Sequence, residues 1–146
     1  MIQLDSEERI TSLLNVESFD AAGFVFMATM KGVVKKTPLE DFRLPRKNGK
    51  RAIKLDAKDE LVGTKITDGK QHIMLISDAG KAVYFDEKDS RPLGRDTRGV
   101  KGIELEDEQK VISLMVPGSE DEILTVSENG FGKKSRIADF RKTKRG

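Results

Sequence analysis

An internal repeat of about fifty residues constrains this chain more than any other feature. Residues 27–36, 75–84 and 125–134 each contain short apolar or β-branched runs around a turn, with Gly32, Gly80 and Gly130 at the same place in the three turns. This pattern predicts three β-hairpins. The tripeptide Ile-X-Leu recurs at residues 2–4, 53–55 and 103–105. Repeats of this length made of short strands are typical of propeller-like or solenoid arrays, in which one unit cannot bury its faces alone.

The repeat predicts an all-β fold, a propeller-like array of about three four-stranded blades in one domain over residues 1–146. The repeat units cover roughly residues 1–42, 53–90 and 103–140, and basic connectors cover 43–52, 91–102 and 141–146. Residues 24–27 are apolar at successive positions, so we expect both faces of this strand to be covered. Aromatic residues are 5% of the chain and Trp is absent, so the core must be built from Val, Ile, Leu and Met.

Residues 5–14 create a conflict between local and repeat signals. Asp5 and Ser6 followed by acidic residues and by Ile10, Leu13 and Leu14 resemble a short capped helix. The equivalent segments 56–63 and 106–113 carry Gly63 and β-branched residues, which favour a turn and a strand. Because the three copies should fold alike, we predict a turn and a strand in all three.

The composition indicates the cellular compartment in which we expect the protein. No apolar run is long enough to span a bilayer, and the acidic start does not fit a signal peptide. Cys is absent, which excludes disulfides and thiolate metal sites and favours the cytosol. The repeat is cut within a unit at both ends, so we expect a piece of a longer array. An open array exposes strand edges, through which copies of the chain could associate.

The net charge of +2 conceals an alternation along the chain. Residues 31–54 contain nine Lys or Arg against two acids, residues 91–101 four against one, and residues 133–145 seven against one. Acidic residues concentrate in the intervening turns at 5–8, 56–60, 104–108 and 120–122. If the repeats surround an axis, the basic segments share one edge, and such an edge is the electrostatic signature of a surface that binds DNA phosphates. A single charge run is usually only a solvated face, whereas three in register with a repeat favour binding.

Several motifs at matching spacing resemble the C-terminal domain of the A subunit of bacterial DNA gyrase. They lie at residues 27–29, 32–37, 77–80, 91–94, 97–103 and 129–134, together with Gly63, and cover nearly the whole chain. The resemblance implies a β-pinwheel, a propeller-like ring of about six four-stranded blades. It also implies that DNA wraps around the basic rim and bends, so that the catalytic core of a type IIA topoisomerase introduces negative supercoils.

The resemblance also implies the site and the partners. The expected partners are double-stranded DNA and the remainder of gyrase, both its A and its B polypeptides, in the bacterial cytoplasm near the nucleoid; we expect no membrane, metal, cofactor or catalytic residue in this domain. The expected DNA contacts go mainly to the backbone, since no recognition helix is visible. The basic residues expected at the rim are Lys35, Lys36, Arg43, Arg46, Lys47, Lys50, Arg51, Arg91, Arg95, Arg98, Lys101, Lys133, Lys134, Arg136, Arg141, Lys142, Lys144 and Arg145.

Other interpretations remain open at this point. The A polypeptides of gyrase carry a glutamine-arginine-glycine-lysine box in the first blade, and this chain has only degenerate relatives of it at 46–51 and 98–102. Either that blade is absent from this sequence or the parent is the related topoisomerase IV; the repeats look closer to gyrase. A propeller-type protein-interaction scaffold is the alternative function.

Catalytic interpretations are weaker. Residues 94–101 miss the phosphate-binding loop pattern, because Val100 stands where Lys must follow the second glycine. His72 looks like a variable residue at the start of a strand, and Tyr84 looks like a packed hairpin residue. A topoisomerase nucleophile at Tyr84 would need an acidic metal cluster and basic partners nearby.

Overall fold

The computed structural model describes residues 6, 8–19, 22–44 and 49–146, and this part of the chain is built from strands and single 3-10 turns. The nine strands assigned there are β1 (Phe24–Thr29), β2 (Val33–Pro38), β3 (Leu61–Thr67), β4 (His72–Ser77), β5 (Ala82–Asp86), β6 (Val100–Lys101), β7 (Val111–Met115), β8 (Glu122–Val126) and β9 (Gly132–Arg136). A 3-10 turn follows each hairpin, at Leu39–Phe42, Glu87–Asp89 and Ile137–Asp139. The predicted all-β array is confirmed.

The strands form one sheet for each predicted hairpin. The first sheet has the order β3-β1-β2-β6, the second β5-β4-β7, and the third contains β8 and β9. The strand that follows a hairpin returns to its first strand, so β3 pairs with β1 and β7 with β4. β6, which follows the second hairpin, pairs instead with β2 of the first. Successive blades are therefore joined by an exchanged strand as well as by packing.

The prediction of a turn and a strand at 5–14 and its two copies is confirmed in the second and third copies. Turns at residues 57–58 and 107–108 precede β3 and β7. In the first copy the described residues 8–19 form neither helix nor strand, so the strand prediction is wrong there. β3 and β7 owe their ladders to the hairpins before them, whereas residues 8–19 come before the first hairpin of this sequence. Residues 1–5 and 7, which include the tripeptide at 2–4, lie outside the described residues.

The core is a stack of apolar layers between blades. The alternating faces of β1 contact different layers: Phe26 and Ala28 pack with Ile73 and Leu75 of the next hairpin. The other face of β1, with Met27, packs against residues 14–19 and 52–53. Every residue of β1 from Val25 to Thr29 is buried, which confirms that both faces of this strand are covered. The second and third blades share a smaller layer around Met74, Tyr84 and Ile123.

The turn glycines offer a direct test of blade packing. Gly32 and Gly130 both have φ of +81°, where a side chain costs roughly 1–2 kcal/mol. A Cβ on Gly32 would lie 2.8 Å from the carbonyl oxygen of Ile103, whereas a Cβ on Gly130 meets nothing within 4 Å. We therefore expect Gly32→Ala to lower the free energy of unfolding by about 1–3 kcal/mol more than Gly130→Ala. Urea denaturation of both variants measures the difference, and equal losses would contradict a tight junction at Gly32.

Candidate nucleic-acid interface

One arginine stands directly after the 3-10 turn of each blade. Arg43 follows Leu39–Phe42, Arg141 follows Phe140 at the end of the third turn, and Arg91 follows Ser90, which caps the second. The side chains of Arg43, Arg91 and Arg141 are all exposed. Since the three hairpins and turns are equivalent, these arginines mark one repeated position on the array.

The basic connectors follow equivalent paths across the blades. The backbone N–H of Leu93 donates to the carbonyl oxygen of Lys36 at 2.8 Å, and the N–H of Thr143 donates to that of Tyr84 at 2.8 Å. Lys36 and Tyr84 hold the same register in their hairpins, opposite Phe26 and Met74. Each connector therefore crosses back to the return strand of the preceding blade, which places connectors 91–95 and 141–145 in equivalent positions.

Lys35, expected at the rim, lies in the interior and is a correction to the predicted site. It has no exposed surface, and its Nζ donates to the carbonyl oxygens of Ala52 at 2.8 Å, Thr97 at 3.1 Å and Arg95. Burial lowers the pKa of Lys35 to about 8, which Asp96 partly opposes and Arg95 reinforces. This ammonium ties β2 to two connectors and cannot reach a phosphate.

Lys36 is the second correction. Its side chain is 4% exposed, and its Nζ donates to the carbonyl oxygen of Glu87 at 2.8 Å and lies 3.9 Å from that residue's carboxylate. Burial lowers the pKa of Lys36, and the Glu87 charge opposes the shift. The equivalent residues of the second hairpin are the apolar Val83 and Tyr84, and this internal comparison was the signal that both positions face inward.

The titration of Lys35 predicts a dependence of stability on pH. Its pKa is about 8 in the folded protein and 10.5 in the unfolded chain, so the unfolded chain binds more protons between these values. The contribution of Lys35 to stability therefore rises as pH increases from about 8 towards 10.5. We expect the stability of the wild type relative to Lys35→Met to be higher at pH 9.5 than at pH 7, measured by chemical denaturation at both pH values. A difference that stays constant or falls would contradict the lowered pKa.

The cations of the connectors around β6 are exposed and paired. Arg51 lies 3.3 Å from Asp96, and the side chains of the two residues are 66% and 76% exposed. Arg98 pairs with Asp56 at 3.1 Å, and Lys101 with Glu104 at 3.3 Å. Exposed pairs of this kind contribute about 0–1 kcal/mol each. A phosphate can therefore replace the carboxylate at little cost.

The other predicted residues differ in their contacts. Lys50 is half-buried and donates to the carbonyl oxygens of Asp41, at 3.2 Å, and of Arg43. Arg145 is half-buried and donates to the carbonyl oxygens of Asp89 at 3.1 Å and Lys101 at 2.5 Å. The remaining members are placed as follows: Lys142 lies 5.9 Å from the centre of the Tyr84 ring, Lys134 pairs with Glu122, Arg95 is half-buried, Lys133, Arg136 and Lys144 are exposed, and Arg46 and Lys47 lie outside the described residues.

Sequence reasoning missed Glu87, the one fully buried carboxylate among the described residues. The equivalent residues after the other hairpins are Leu39 and Ile137, so an acid at this apolar position was the available signal. Tyr84 is 4% exposed and packs 5.2 Å from the His72 ring, and burial raises its pKa. A raised pKa opposes a nucleophilic role. In the described part of the chain no three His, Cys, Asp or Glu side chains stand close enough to hold a metal ion.

Blades of short antiparallel strands, joined by an exchanged strand and bordered by basic connectors, define a β-propeller-type repeat domain. A family model described as the DNA gyrase C-terminal domain, β-propeller, matches residues 23–68, 71–117 and 121–146. The chain belongs to this family, which confirms the resemblance found in the sequence.

Individual relatives agree with the family. The chain is 45% identical over 140 residues to the A polypeptide of DNA gyrase from Klebsiella oxytoca and, equally, from Escherichia coli K12, covering 96% of this chain and 16% of each relative. It therefore spans about a sixth of the length of these relatives. Among solved structures, the C-terminal domain of DNA topoisomerase IV matches with a TM-score of 0.90 and 30% identity, over 97% of this chain and 45% of that one. The gyrase A C-terminal domain matches with a TM-score of 0.87 and 28% identity, over 99% of this chain and 48% of that one. None of the helices in the described residues is long and apolar enough to cross a membrane.

Proposed function

We propose that this domain binds, bends and wraps double-stranded DNA without base specificity, as the non-catalytic arm of a bacterial DNA gyrase that introduces negative supercoils. The observation that carries the proposal is the repeated arginine, Arg43, Arg91 and Arg141, exposed at one equivalent position in three blades. The expected partners are the remainder of the gyrase A polypeptide and the gyrase B polypeptide, in the bacterial cytoplasm. Chemistry on DNA belongs to the other parts of that enzyme.

A periodic row of cations suits a charged polymer. Double-stranded DNA carries one negative charge per roughly 1.7 Å of helix axis, and each phosphate that the protein neutralises releases condensed counterions. Cations repeated from blade to blade engage successive phosphates along a curved path, which lowers the cost of bending a duplex from the several kcal/mol that a site of about 20–30 base pairs requires. Contacts of this kind position the backbone and carry no sequence information.

The proposed interface keeps the predicted residues except the two buried lysines. Arg51, Arg98 and Lys101 join it by exchanging their carboxylate partners for phosphates. Lys35 and Lys36 are left out, because their ammonium groups are held by backbone carbonyls inside the array. The members are Arg43, Arg46, Lys47, Lys50, Arg51, Arg91, Arg95, Arg98, Lys101, Lys133, Lys134, Arg136, Arg141, Lys142, Lys144 and Arg145.

Gyrase is the proposed parent in preference to topoisomerase IV. The identity to the A polypeptide of gyrase is 45%, and the two solved domains resemble this chain to a similar degree. The degenerate relatives of the gyrase box at 46–51 and 98–102 do not decide between the parents, since a gyrase whose first blade lies outside this sequence and a topoisomerase IV both account for them. A topoisomerase IV arm would make the same backbone contacts, so the DNA-binding proposal holds for either parent.

Neutralising the repeated arginines tests the interface. We expect Arg43→Gln, Arg91→Gln and Arg141→Gln together to reduce the slope of log affinity against log salt by about 3, since each phosphate contact contributes about 0.9. Binding to a labelled duplex of about forty base pairs, titrated across salt, gives the slope. The matched control replaces three exposed lysines away from the connectors, Lys65, Lys70 and Lys110, by Gln, and should change the slope by well under 1.

A protein-interaction scaffold predicts a different result. In that case the unsubstituted chain shows no salt-dependent binding to the duplex, and the two triple variants behave alike. If DNA binds but the arginine variant and the lysine control lose equal affinity, the cationic edge lies elsewhere on the array. Equal affinity for duplexes of unrelated sequence is expected for backbone contacts.

A further inference from the structure

Lys35 uses its whole hydrogen-bonding capacity on the backbone of two connectors. The side chain is buried in the interior, and its Nζ donates to the carbonyl oxygens of Ala52 at 2.8 Å, Thr97 at 3.1 Å and Arg95. An ammonium group carries three N–H donors, so these three bonds occupy all of them. Because backbone carbonyl groups accept the bonds, Lys35 fixes the course of the main chain in both connectors.

The carbonyl groups that Lys35 holds lie next to cations of the proposed interface. In chain order, Arg51 directly precedes the first of these carbonyl groups and Arg98 directly follows the last. The side chains of Arg51 and Arg98 are 66% and 64% exposed. A Cβ on Gly99 would lie 3.2 Å from the Cβ of Lys35, so the second connector passes directly over the strand that carries the lysine. One buried ammonium therefore determines where two exposed guanidinium groups leave the main chain.

The exposed ion pair between the two connectors cannot hold them together in a complex with DNA. Arg51 lies 3.3 Å from Asp96, and in the proposed interface a phosphate replaces this carboxylate. The bonds of Lys35, and the bond from the N–H of Lys54 to the carbonyl oxygen of Thr97 at 3.0 Å, involve no carboxylate. DNA does not compete for these buried links, so they keep the connectors joined while the ion pairs exchange.

The equivalent position in the second hairpin shows that an apolar side chain can occupy it. Lys35 lies opposite Met27 in the first hairpin, and Val83 lies opposite Leu75 in the second. Val83 is buried as Lys35 is. Burying an ammonium group costs free energy that burying a valine does not, unless hydrogen bonds compensate for it. What the lysine adds over a valine is therefore the link to the two connectors.

We propose that Lys35 is a positioning residue for DNA binding, which holds the two connectors in the arrangement that lets Arg51 and Arg98 reach phosphates together, while touching no DNA itself. The inference rests on the proposed function, because the cations that it positions are members of the proposed interface. It follows that a substitution in the interior weakens DNA binding although it removes no contact with a phosphate.

A double-mutant cycle tests whether Lys35 acts through these arginines. We expect Lys35→Met to weaken binding to the labelled duplex by about three- to tenfold at a fixed salt concentration. In a chain that already carries Arg51→Gln and Arg98→Gln, the same substitution should change the affinity by less than about twofold, because the side chains that it misplaces are gone. In a matched background, Arg136→Gln with Arg141→Gln, the full effect of Lys35→Met should remain.

The outcomes separate this inference from the proposed function. Equal losses in the two backgrounds would show that Lys35 acts through its charge alone or through global stability, and would overturn the positioning role. An unchanged affinity of Lys35→Met, beside salt-dependent binding by the unsubstituted chain, would overturn the positioning role and leave the proposed function standing. If the unsubstituted chain shows no salt-dependent binding, both fail. Circular dichroism verifies that each variant is folded.

The pH dependence of the affinity gives a second test that needs no substitution at Lys35. Asp96, Arg95 and Asp41 are the charged groups around its ammonium, and burial lowers the pKa of Lys35 to about 8. Exposed lysines keep a pKa of about 10.4. The neutral amine has two N–H donors for three carbonyl groups, so raising the pH through the pKa of Lys35 releases one connector bond.

We therefore expect the unsubstituted chain to lose affinity for the duplex between about pH 7 and about pH 9.5, on either side of the pKa of Lys35. The chain with Arg51→Gln and Arg98→Gln should lose less over the same range, because it lacks the side chains that the released connector misplaces. The chain with Arg136→Gln and Arg141→Gln should lose as much as the unsubstituted chain. A constant affinity of the unsubstituted chain, or equal losses in all three chains, would overturn the inference.

Discussion

Glu87→Ala is expected to lower the free energy of unfolding by about 3–5 kcal/mol, because it leaves a buried cation without its opposite charge. The carboxylate of Glu87 accepts hydrogen bonds from the Thr67 hydroxyl and the Gln71 N–H, both at 2.8 Å. Its second role is to face the Lys36 ammonium, which is almost fully buried. Among the contacts of the described residues, that ammonium then keeps a carbonyl oxygen and the face of the Phe24 ring, whose centre lies 5.0 Å away. Denaturant unfolding followed by circular dichroism measures the loss.

The matched control is an exposed carboxylate in an ion pair. Glu104→Ala removes the partner of Lys101, and the side chain of Glu104 is 71% exposed, so the expected loss is at most about 1 kcal/mol. Lys36→Met combined with Glu87→Leu removes both charges and should recover part of the stability lost by Glu87→Ala. A loss in Glu87→Ala no larger than that of the control would show that the buried pair is not a structural link between the first two blades.

Gly99→Ala is expected to lower the free energy of unfolding by about 2–4 kcal/mol, combining backbone strain with overpacking. Gly99 has φ of +103°, and a Cβ there would lie 2.5 Å from the carbonyl oxygen of Val34. The clash is with backbone, so it must push β6 away from β2, where Val100 lies opposite Val34. Gly94→Ala is the control, since a Cβ at Gly94 meets nothing within 4 Å.

The Gly99→Ala variant should also disturb the exchanged strand β6 locally. Amide exchange should accelerate at Gly102, whose N–H donates to the carbonyl oxygen of Gly32 at 2.8 Å, because β6 leads directly into that bond. Under the proposed function, the affinity for DNA should fall with it, because β6 holds Lys101 and follows Arg98. Unchanged exchange at Gly102 would contradict the role of Gly99 in the exchanged strand.

Much of the fold follows from the sequence alone because its determinants are local. A glycine at positive φ between two short β-rich runs specifies a tight hairpin, and this occurs at Gly32, Gly80 and Gly130. Comparing the copies also argued against a helix at residues 5–14, and the described residues 8–14 form no helix. The same repeat predicted the positions of the connectors, and the motifs at its spacing indicated the family. Side-chain periodicity and turn chemistry act over a few residues, so each copy carries them independently.

The burial of some side chains and the partners of some strands depend on how the blades pack together. Lys35 and Lys36 look like surface cations in sequence, yet the neighbouring connector and the blade containing Glu87 cover them and supply their hydrogen bonds. The pairing of β6 with the preceding blade has no local sequence signal. β6 is only two residues long, and its partner is set by the free edge of β2 that lies beside it. The described residues near residue 10 form no strand, although the repeat predicted one there. The hairpins and their repeat follow from local sequence patterns alone. Burial and strand partners depend on which surfaces meet when the blades pack, so they can be known only from the three-dimensional structure.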